Sequence, residues 1–136
     1  VFDSLACDAD LNWWKGVADL APGRRIDLHV QAPNDPRELA SAVARAAPEW
    51  QRFVVAEPSI RAAVASQMTE AHNDFCNPED VVTEQQFAER LELLSILFET
   101  SGSIELVYFD GMLFGGHHII VPVGTDGTVG EAWEAG

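Results

Sequence analysis

Residues 91–136 of the chain read LELLSILFETSGSIELVYFDGMLFGGHHIIVPVGTDGTVGEAWEAG. Apolar runs of strand length alternate here with turn signals at 101–102, 110–111 and 126–127. Short apolar runs separated by glycine-containing turns are typical of consecutive antiparallel hairpins. The stretch therefore predicts a four-stranded meander. Its strands are expected near residues 93–99, 104–109, 115–123 and 128–134.

A further hairpin is predicted near the N-terminus. Residues 13–20 and 26–31 both contain apolar side chains, and a Pro-Gly turn separates them. In the second run, Ile26, Leu28 and Val30 alternate with polar residues, as in a strand with one buried face. We expect this hairpin to extend the C-terminal sheet.

The middle of the chain carries helix signals. An acidic cap followed by proline at 35–36 opens the first predicted helix, and Pro48 is expected to end it. Pro58 opens a longer helix to about Phe75, and the residues between these two helices fit either a helix or a strand. A capping box at Thr83 starts a short third helix. The sequence thus predicts an α+β fold, in which about three helices cover an antiparallel sheet made of the N-terminal hairpin and the C-terminal meander.

The chain is strongly acidic. Its 136 residues include 22 acidic and 8 basic side chains, giving a formal net charge of −14. No Lys or Arg follows Arg90, whereas acidic residues continue to the end of the chain. They are Glu92, Glu99, Glu105, Asp110, Asp126, Glu131 and Glu134. A surface of this sign repels nucleic acid and attracts cationic partners, although such a charge also serves solubility alone.

The length suits a single domain, residues 1–136, with one hydrophobic core. No apolar run reaches the roughly 18 residues of a membrane span, and the first residues lack the pattern of a secretory leader. Cys7 and Cys76 do not form a disulfide framework and favour free thiols in a reducing compartment. We therefore expect a cytoplasmic protein that binds neither membranes nor nucleic acid.

Several of these features resemble a known bacterial family. They are the helix around Phe87, the turn at 110–111, the run at 113–117 and the turn at 126–127. Together they resemble the uncharacterised domain-of-unknown-function family 2262, over roughly residues 10–136. The resemblance implies the fold class and a bacterial origin, and it brings no activity or site. Small acidic domains of this kind resemble the immunity proteins of bacterial toxin systems, which is an association rather than chemistry.

The segment Gly115-Gly116-His117-His118 is the most distinctive local pattern. Two glycines permit positive φ or a close backbone approach, which suits either a bulge or a ligand. Adjacent histidines in a strand point to opposite faces, so they cannot both bind one metal ion without distortion. The Cys and His spacings typical of zinc sites are absent. The segment is therefore either structural or part of a small-ligand or metal-binding site. We expect the structural role, with no metal site and no cofactor.

Catalytic motifs are also absent from the sequence. Neither cysteine lies beside an activating base, and there is no nucleophile elbow or phosphate-binding loop. An enzyme would need a constellation that the fold assembles, and His117, Asp110 and Asn73 are the candidate residues.

The sequence favours a non-catalytic protein-binding domain. The most concrete form is an immunity-type or antitoxin-type inhibitor, whose acidic surface covers a basic effector such as a toxin. Trp13 and Trp14 are adjacent, so a strand would turn one towards the core and the other outwards. The predicted partner contacts are Trp14, Glu99, Glu105, Asp110 and Asp126.

Overall fold

The structure is a computed structural model that describes residues 1–8 and 10–136. In this part of the chain there are seven strands, two α-helices and one 3₁₀ helix, at Pro78–Asp80. The strands are β1 Ala6–Asp8, β2 Trp13–Ala21, β3 Arg24–Gln31, β4 Glu92–Phe98, β5 Ile104–Phe109, β6 His118–Val123 and β7 Trp133–Ala135. The α-helices are α1 Pro36–Phe75 and α2 Glu84–Arg90.

All seven strands belong to one sheet, in which they lie in sequence order from β1 to β7. Neighbouring strands are antiparallel except for β3 and β4, which pair in parallel from Asp27↔Ser95 to Val30↔Phe98. The α+β class, the N-terminal hairpin and its union with a C-terminal meander are confirmed. The sheet is therefore mixed rather than wholly antiparallel. A parallel pair needs a crossover connection, and the segment that contains α1 and α2 supplies it.

The predicted strand positions hold best at the centre of the meander. The strand at 104–109 is confirmed to the residue, and the first strand is displaced by one residue. The third begins only at His118, because residues 111–117 form a loop, and the last is shortened to Trp133–Ala135. No strand is predicted before residue 13, but β1 pairs with β2.

α1 is one helix of 40 residues that runs through Pro48 and Pro58. Each internal proline removes a hydrogen bond and crowds the preceding turn, at a cost of roughly 3 kcal/mol. The helix continues because side chains mostly three or four positions apart stay buried along its length. They are Ala42, Ala46, Trp50, Phe53, Glu57, Ile60, Val64, Ala65, Thr69 and His72. The predicted break at Pro48 and the expectation of about three helices are therefore wrong.

Both predicted caps are present. The Asp35 side chain accepts a hydrogen bond from the Arg37 amide, and Thr83 and Gln86 form a reciprocal capping box. These caps fix where the helices begin. Among the described residues, no helix is both long and apolar enough to cross a membrane.

The core lies between the helices and one face of the sheet. The register aligns Leu28, Ile96, Leu106 and Val121 across four adjacent strands, and all four have no exposed surface. Alternation along each strand directs the next residues to the opposite side of the sheet. The helix-covered face therefore holds the core.

A buried ionic cluster fixes α1 next to Pro58. The Glu57 carboxylate is 2.6 Å from Nη2 and 3.0 Å from Nε of Arg61, and 3.3 Å from the hydroxyl of Tyr108 on β5. Arg61 also donates to the carbonyl oxygen of Ala88 on α2 and to that of Leu91, which lies between α2 and β4. Burial raises the pKa of Tyr108, and the nearby charge of Glu57 adds to the effect. One ion pair thus joins α1, α2 and the sheet.

Replacement of Glu57 should destabilise the fold strongly. Glu57→Ala leaves the Arg61 guanidinium largely buried without its carboxylate, which should cost about 3 kcal/mol of unfolding free energy. Tyr108→Phe removes one hydrogen bond and should cost about 1 kcal/mol. Urea unfolding of both variants measures the two losses. Equal unfolding midpoints for wild type and Glu57→Ala would contradict the role of the cluster.

Candidate functional site

The side of β4–β7 that faces away from the helices carries an apolar surface, here called the open face. The register places Ser95, Val107, Ile120 and Trp133 in one row across four strands. The open face has six apolar members: Leu97, Val107, Phe109, Ile120, Pro122 and Trp133. None of the six belongs to the core cluster. No helix in the described part of the chain packs on this face.

Exposure on the open face increases towards its edge. Leu97 on β4 is only 8% exposed, whereas Trp133 on β7 is 45% exposed. Val107, Phe109, Ile120 and Pro122 are partly buried. Contiguous exposed apolar surface is uncommon on monomeric proteins and marks interaction sites. The open face has the composition of a docking surface.

The N-terminal half of the same side is different. Here β2 and β3 present charged residues, with Lys15 opposite His29 and Val17 opposite Asp27. Trp13 covers His29, with 5.3 Å between the ring centroids. Burial lowers the pKa of His29. Apart from Trp13 and the exposed Val17, this half is polar, so the more continuous apolar surface lies on β4–β7.

Glu105 lies within the open face. It is paired with Leu97 on one side and Pro122 on the other. Partial burial raises the pKa of Glu105, and the negative charge of Glu99 raises it further. No ion pair among the described residues involves Glu105. The open face therefore contains a carboxylate that lacks a cation.

The structure separates the other predicted contacts. Glu99 follows β4 and lies close enough to influence Glu105. Asp126 is exposed in the turn after β6, where a hydrogen bond from the Thr128 amide lowers its pKa. Trp14 is on the helix side, packed against the core, and its indole donates to the Pro33 carbonyl at 3.1 Å. Trp14 therefore does not belong to the open face, whereas Trp133 does.

Asp110 is unsuitable as a partner contact, and that prediction is wrong. Its side chain has no exposed surface. One carboxylate oxygen accepts from the Met112 amide at 2.8 Å, and the other accepts from the amides of Phe114 at 2.9 Å and His117 at 3.0 Å. Asp110 instead organises the loop between β5 and β6.

The Gly-Gly-His-His segment closes that loop. Gly115 and Gly116 have φ values of 89° and 90°, which explains the need for glycine at both positions. The His117 ring pairs with Glu134, and His118 is exposed on the open face, opposite Phe109. The two imidazoles thus serve different surroundings. Within residues 1–8 and 10–136, no group of three potential metal-binding side chains is found.

The candidate catalytic trio is not assembled. The Asn73 amide bonds to the backbone N–H and carbonyl of Val82, at 3.0 and 2.8 Å. The Asp110 carboxylate accepts hydrogen bonds from the loop amides, and the His117 ring forms a hydrogen bond with Glu134. In the described chain, no hydrogen bond joins the side chains of Asn73, Asp110 and His117. These residues stabilise loops and chain ends.

The apolar residues of the open face were missed by sequence reasoning, although a signal exists. Strand β3 alternates between apolar and polar residues, as a half-solvated strand does. In contrast, β5 reads IELVYF and β6 reads HIIVPV, with apolar residues at both odd and even positions. Continuous apolar strands are typical of sheets covered on both faces. The signal was present in the meander that the sequence already predicted.

Comparison with known proteins identifies a family. The model of a family described as "Uncharacterized protein conserved in bacteria (DUF2262)" matches residues 1–133. Comparison with curated proteins finds no match, and comparison with solved structures finds none. The resemblance noted in the sequence is thereby confirmed.

The Asp110 loop provides one test. Asp110→Asn replaces one acceptor oxygen by an amide group that faces a backbone N–H, and should cost about 2 kcal/mol of unfolding free energy. Hydrogen exchange at Met112, Phe114 and His117 should become faster. Asp126→Asn is the matched control, because Asp126 caps a turn from an exposed position. Similar losses for the two variants would contradict the buried role of Asp110.

The raised pKa of Glu105 provides a second test. A carboxyl group whose pKa is higher in the folded state lowers stability as pH rises through that pKa. Glu105→Gln should therefore increase the unfolding free energy at pH 7, and the gain should vanish in acid below the unperturbed pKa of 4.5. Glu70→Gln on α1 controls for the loss of one negative charge. Urea unfolding across this pH range measures the effect, and a pH-independent gain would argue against it.

Proposed function

We propose a function for the chain from the premise that it belongs to the bacterial family DUF2262, whose description names no activity. The chain is a single-domain, non-catalytic protein-binding module of the cytoplasm. It acts as an immunity-type or antitoxin-type inhibitor, and its open face covers a basic surface of an effector protein. The observation that carries the proposal is the uncovered apolar surface of β4–β7 with a carboxylate inside it.

The apolar composition supports a protein partner. Tightly bound partners bury a central apolar cluster, often with an aromatic anchor, inside a polar rim. Val107, Ile120 and Phe109 supply the centre of such a cluster, and Trp133 supplies an anchor. Strand surfaces on a sheet are rigid, so little ordering entropy opposes binding.

The charge distribution supports a basic partner. The chain carries a net charge of −14, and Glu105 lacks a cation within the apolar surface. A Lys or Arg of the partner would pair with Glu105, while Glu99 and Asp126 would attract further positive charge. Complementary charge also speeds association and excludes incorrect partners. Nucleic acid is disfavoured as the partner, because its phosphates carry the same sign as the chain.

A second copy of the chain is a poor occupant of the open face. Two copies face to face would bring two Glu105 carboxylates into a desolvated interface, with neither paired. Each copy would also add a net charge of −14. Such like-charge contacts cost several kcal/mol. A basic protein satisfies the same apolar surface without this cost.

The partner should be captured by the open face and released by salt. The chain is immobilised and exposed to lysate of its native cells at low salt, beside Glu105→Lys and Trp133→Ala variants. The expected result is one basic protein in stoichiometric amount, bound by wild type and lost with both variants. It should elute as salt screens the charges. If it is an effector, co-production with the chain should relieve its toxicity.

Matched variants on α1 provide the controls. Glu70→Lys makes the same charge reversal at an exposed position on α1, and Phe75→Ala removes an aromatic side chain that is 91% exposed at the end of α1. Both should retain the partner. Capture that survives Glu105→Lys and Trp133→Ala would refute the open face as the binding surface. A column that retains no basic protein would refute the proposal as a whole.

A further inference from the structure

A cavity of about 310 Å³ lies on the other side of the sheet, between α1 and two turns. The middle of α1 forms one wall. The turn between β4 and β5 and the turn after β6 form the other, through Gly102 and residues 124–127. The volume is within the range of small-molecule sites, which starts near roughly 300 Å³. The open face does not contribute to it.

The floor of the cavity is apolar. It is formed by Phe53 and Ile60 of α1 together with Ile104 and Val123 of the sheet, and each of these is at most 7% exposed. These are core side chains that the cavity reaches from outside. An apolar floor that already lies in place binds an apolar group without reorganisation.

The mouth of the cavity carries charges of both signs. Glu49 and Arg52 on α1 lie at one side, and Asp126 lies at the other. Neither Glu49 nor Arg52 takes part in a hydrogen bond or ion pair among the described residues. Burial raises the pKa of the Glu49 carboxyl, although Arg52 and Arg45 oppose the effect. The mouth thus holds an unpaired carboxylate and an unpaired guanidinium above an apolar floor.

We propose that this cavity binds a small zwitterion with an apolar body, of the class of the free apolar α-amino acids. The side chain of the ligand occupies the floor formed by Phe53, Ile60, Ile104 and Val123. Its ammonium group pairs with Glu49, assisted by Asp126, and its carboxylate pairs with Arg52. A simple amine would leave Arg52 facing a cation, and a simple fatty acid would leave two carboxylates facing an anion. A zwitterion satisfies all three charges.

The cavity and the open face are different surfaces, and Asp126 at the cavity mouth contributes to the partner's attraction only through its charge. The cavity is on the helix-covered side at one end of the sheet, and Glu105 and Trp133 do not line it. Ligand binding should therefore persist in the Glu105→Lys variant. Failure of the ligand experiment would leave the proposed protein partner untouched, and the reverse also holds.

The test is a two-dimensional NMR titration of the full chain with L-leucine. Signals of Phe53, Ile104 and Val123 should shift in a saturable manner. Isoamylamine, which lacks the carboxylate, and isocaproic acid, which lacks the amino group, should both bind at least about tenfold more weakly, since each loses a charge-assisted pair. Equal binding of isoamylamine or isocaproic acid would overturn the zwitterion assignment. No saturable shift with any of the three would overturn the site.

Three variants locate the ligand within the cavity. Arg52→Gln should weaken L-leucine binding but not isoamylamine binding, whereas Glu49→Gln should weaken L-leucine but not isocaproic acid. Ala56→Leu adds side chain to the cavity wall at a helical position that favours leucine, so it should block binding while the protein stays folded. Arg37→Gln, exposed at the start of α1, is the matched control and should bind normally. Unchanged L-leucine affinity in Arg52→Gln and Ala56→Leu would overturn the proposal.

Discussion

The parallel pairing of β3 with β4 is the constraint on which the rest of the structure depends. Two parallel neighbours cannot be joined by a hairpin, so the chain must return across a face of the sheet before β4 begins. Residues 32–91 make this return and contain both α-helices. Both α-helices therefore pack on one face of the sheet. No helix of the described chain covers the other face, although its β4–β7 half contains apolar residues.

The long crossover helix depends in turn on one polar interaction. Its buried stripe includes Glu57, immediately before Pro58, where a lost helical hydrogen bond and a buried charge would be expected to break the helix. Arg61 and Tyr108 convert that weak point into an attachment to α2 and the sheet. Removal of the charge would therefore affect the crossover and the core together.

The features that depend on local chemistry were predicted correctly from local sequence patterns. The turns at 101–102 and 126–127, the strand at 104–109 and the caps at Asp35 and Thr83 depend on neighbouring residues, and the structure contains all of them. The prolines of α1 misled because tertiary packing outweighed their local cost. The role of Asp110 was mispredicted for a similar reason. An aspartate in a turn is expected to be exposed, whereas here three amides of its own loop enclose the carboxylate. Charge alone identified Glu105. The unbroken apolar runs of β5 and β6 indicated a second apolar face, and strand register shows which of their residues lie around Glu105.

The two proposed sites follow from different surface shapes. The open face is a broad sheet surface with one embedded carboxylate, so a small molecule there would keep most of its own surface in water and gain little. A protein covers the whole surface at once and can bring a cation to Glu105. The cavity beside Glu49 is the opposite case, because it encloses an apolar group but admits no extended partner. The carboxylates and the guanidinium at its mouth match the two opposite charges of a compact zwitterion. A purely acidic surface would match only the ammonium group. Shape therefore favours a macromolecular partner for the sheet and a small molecule for the cavity beside α1.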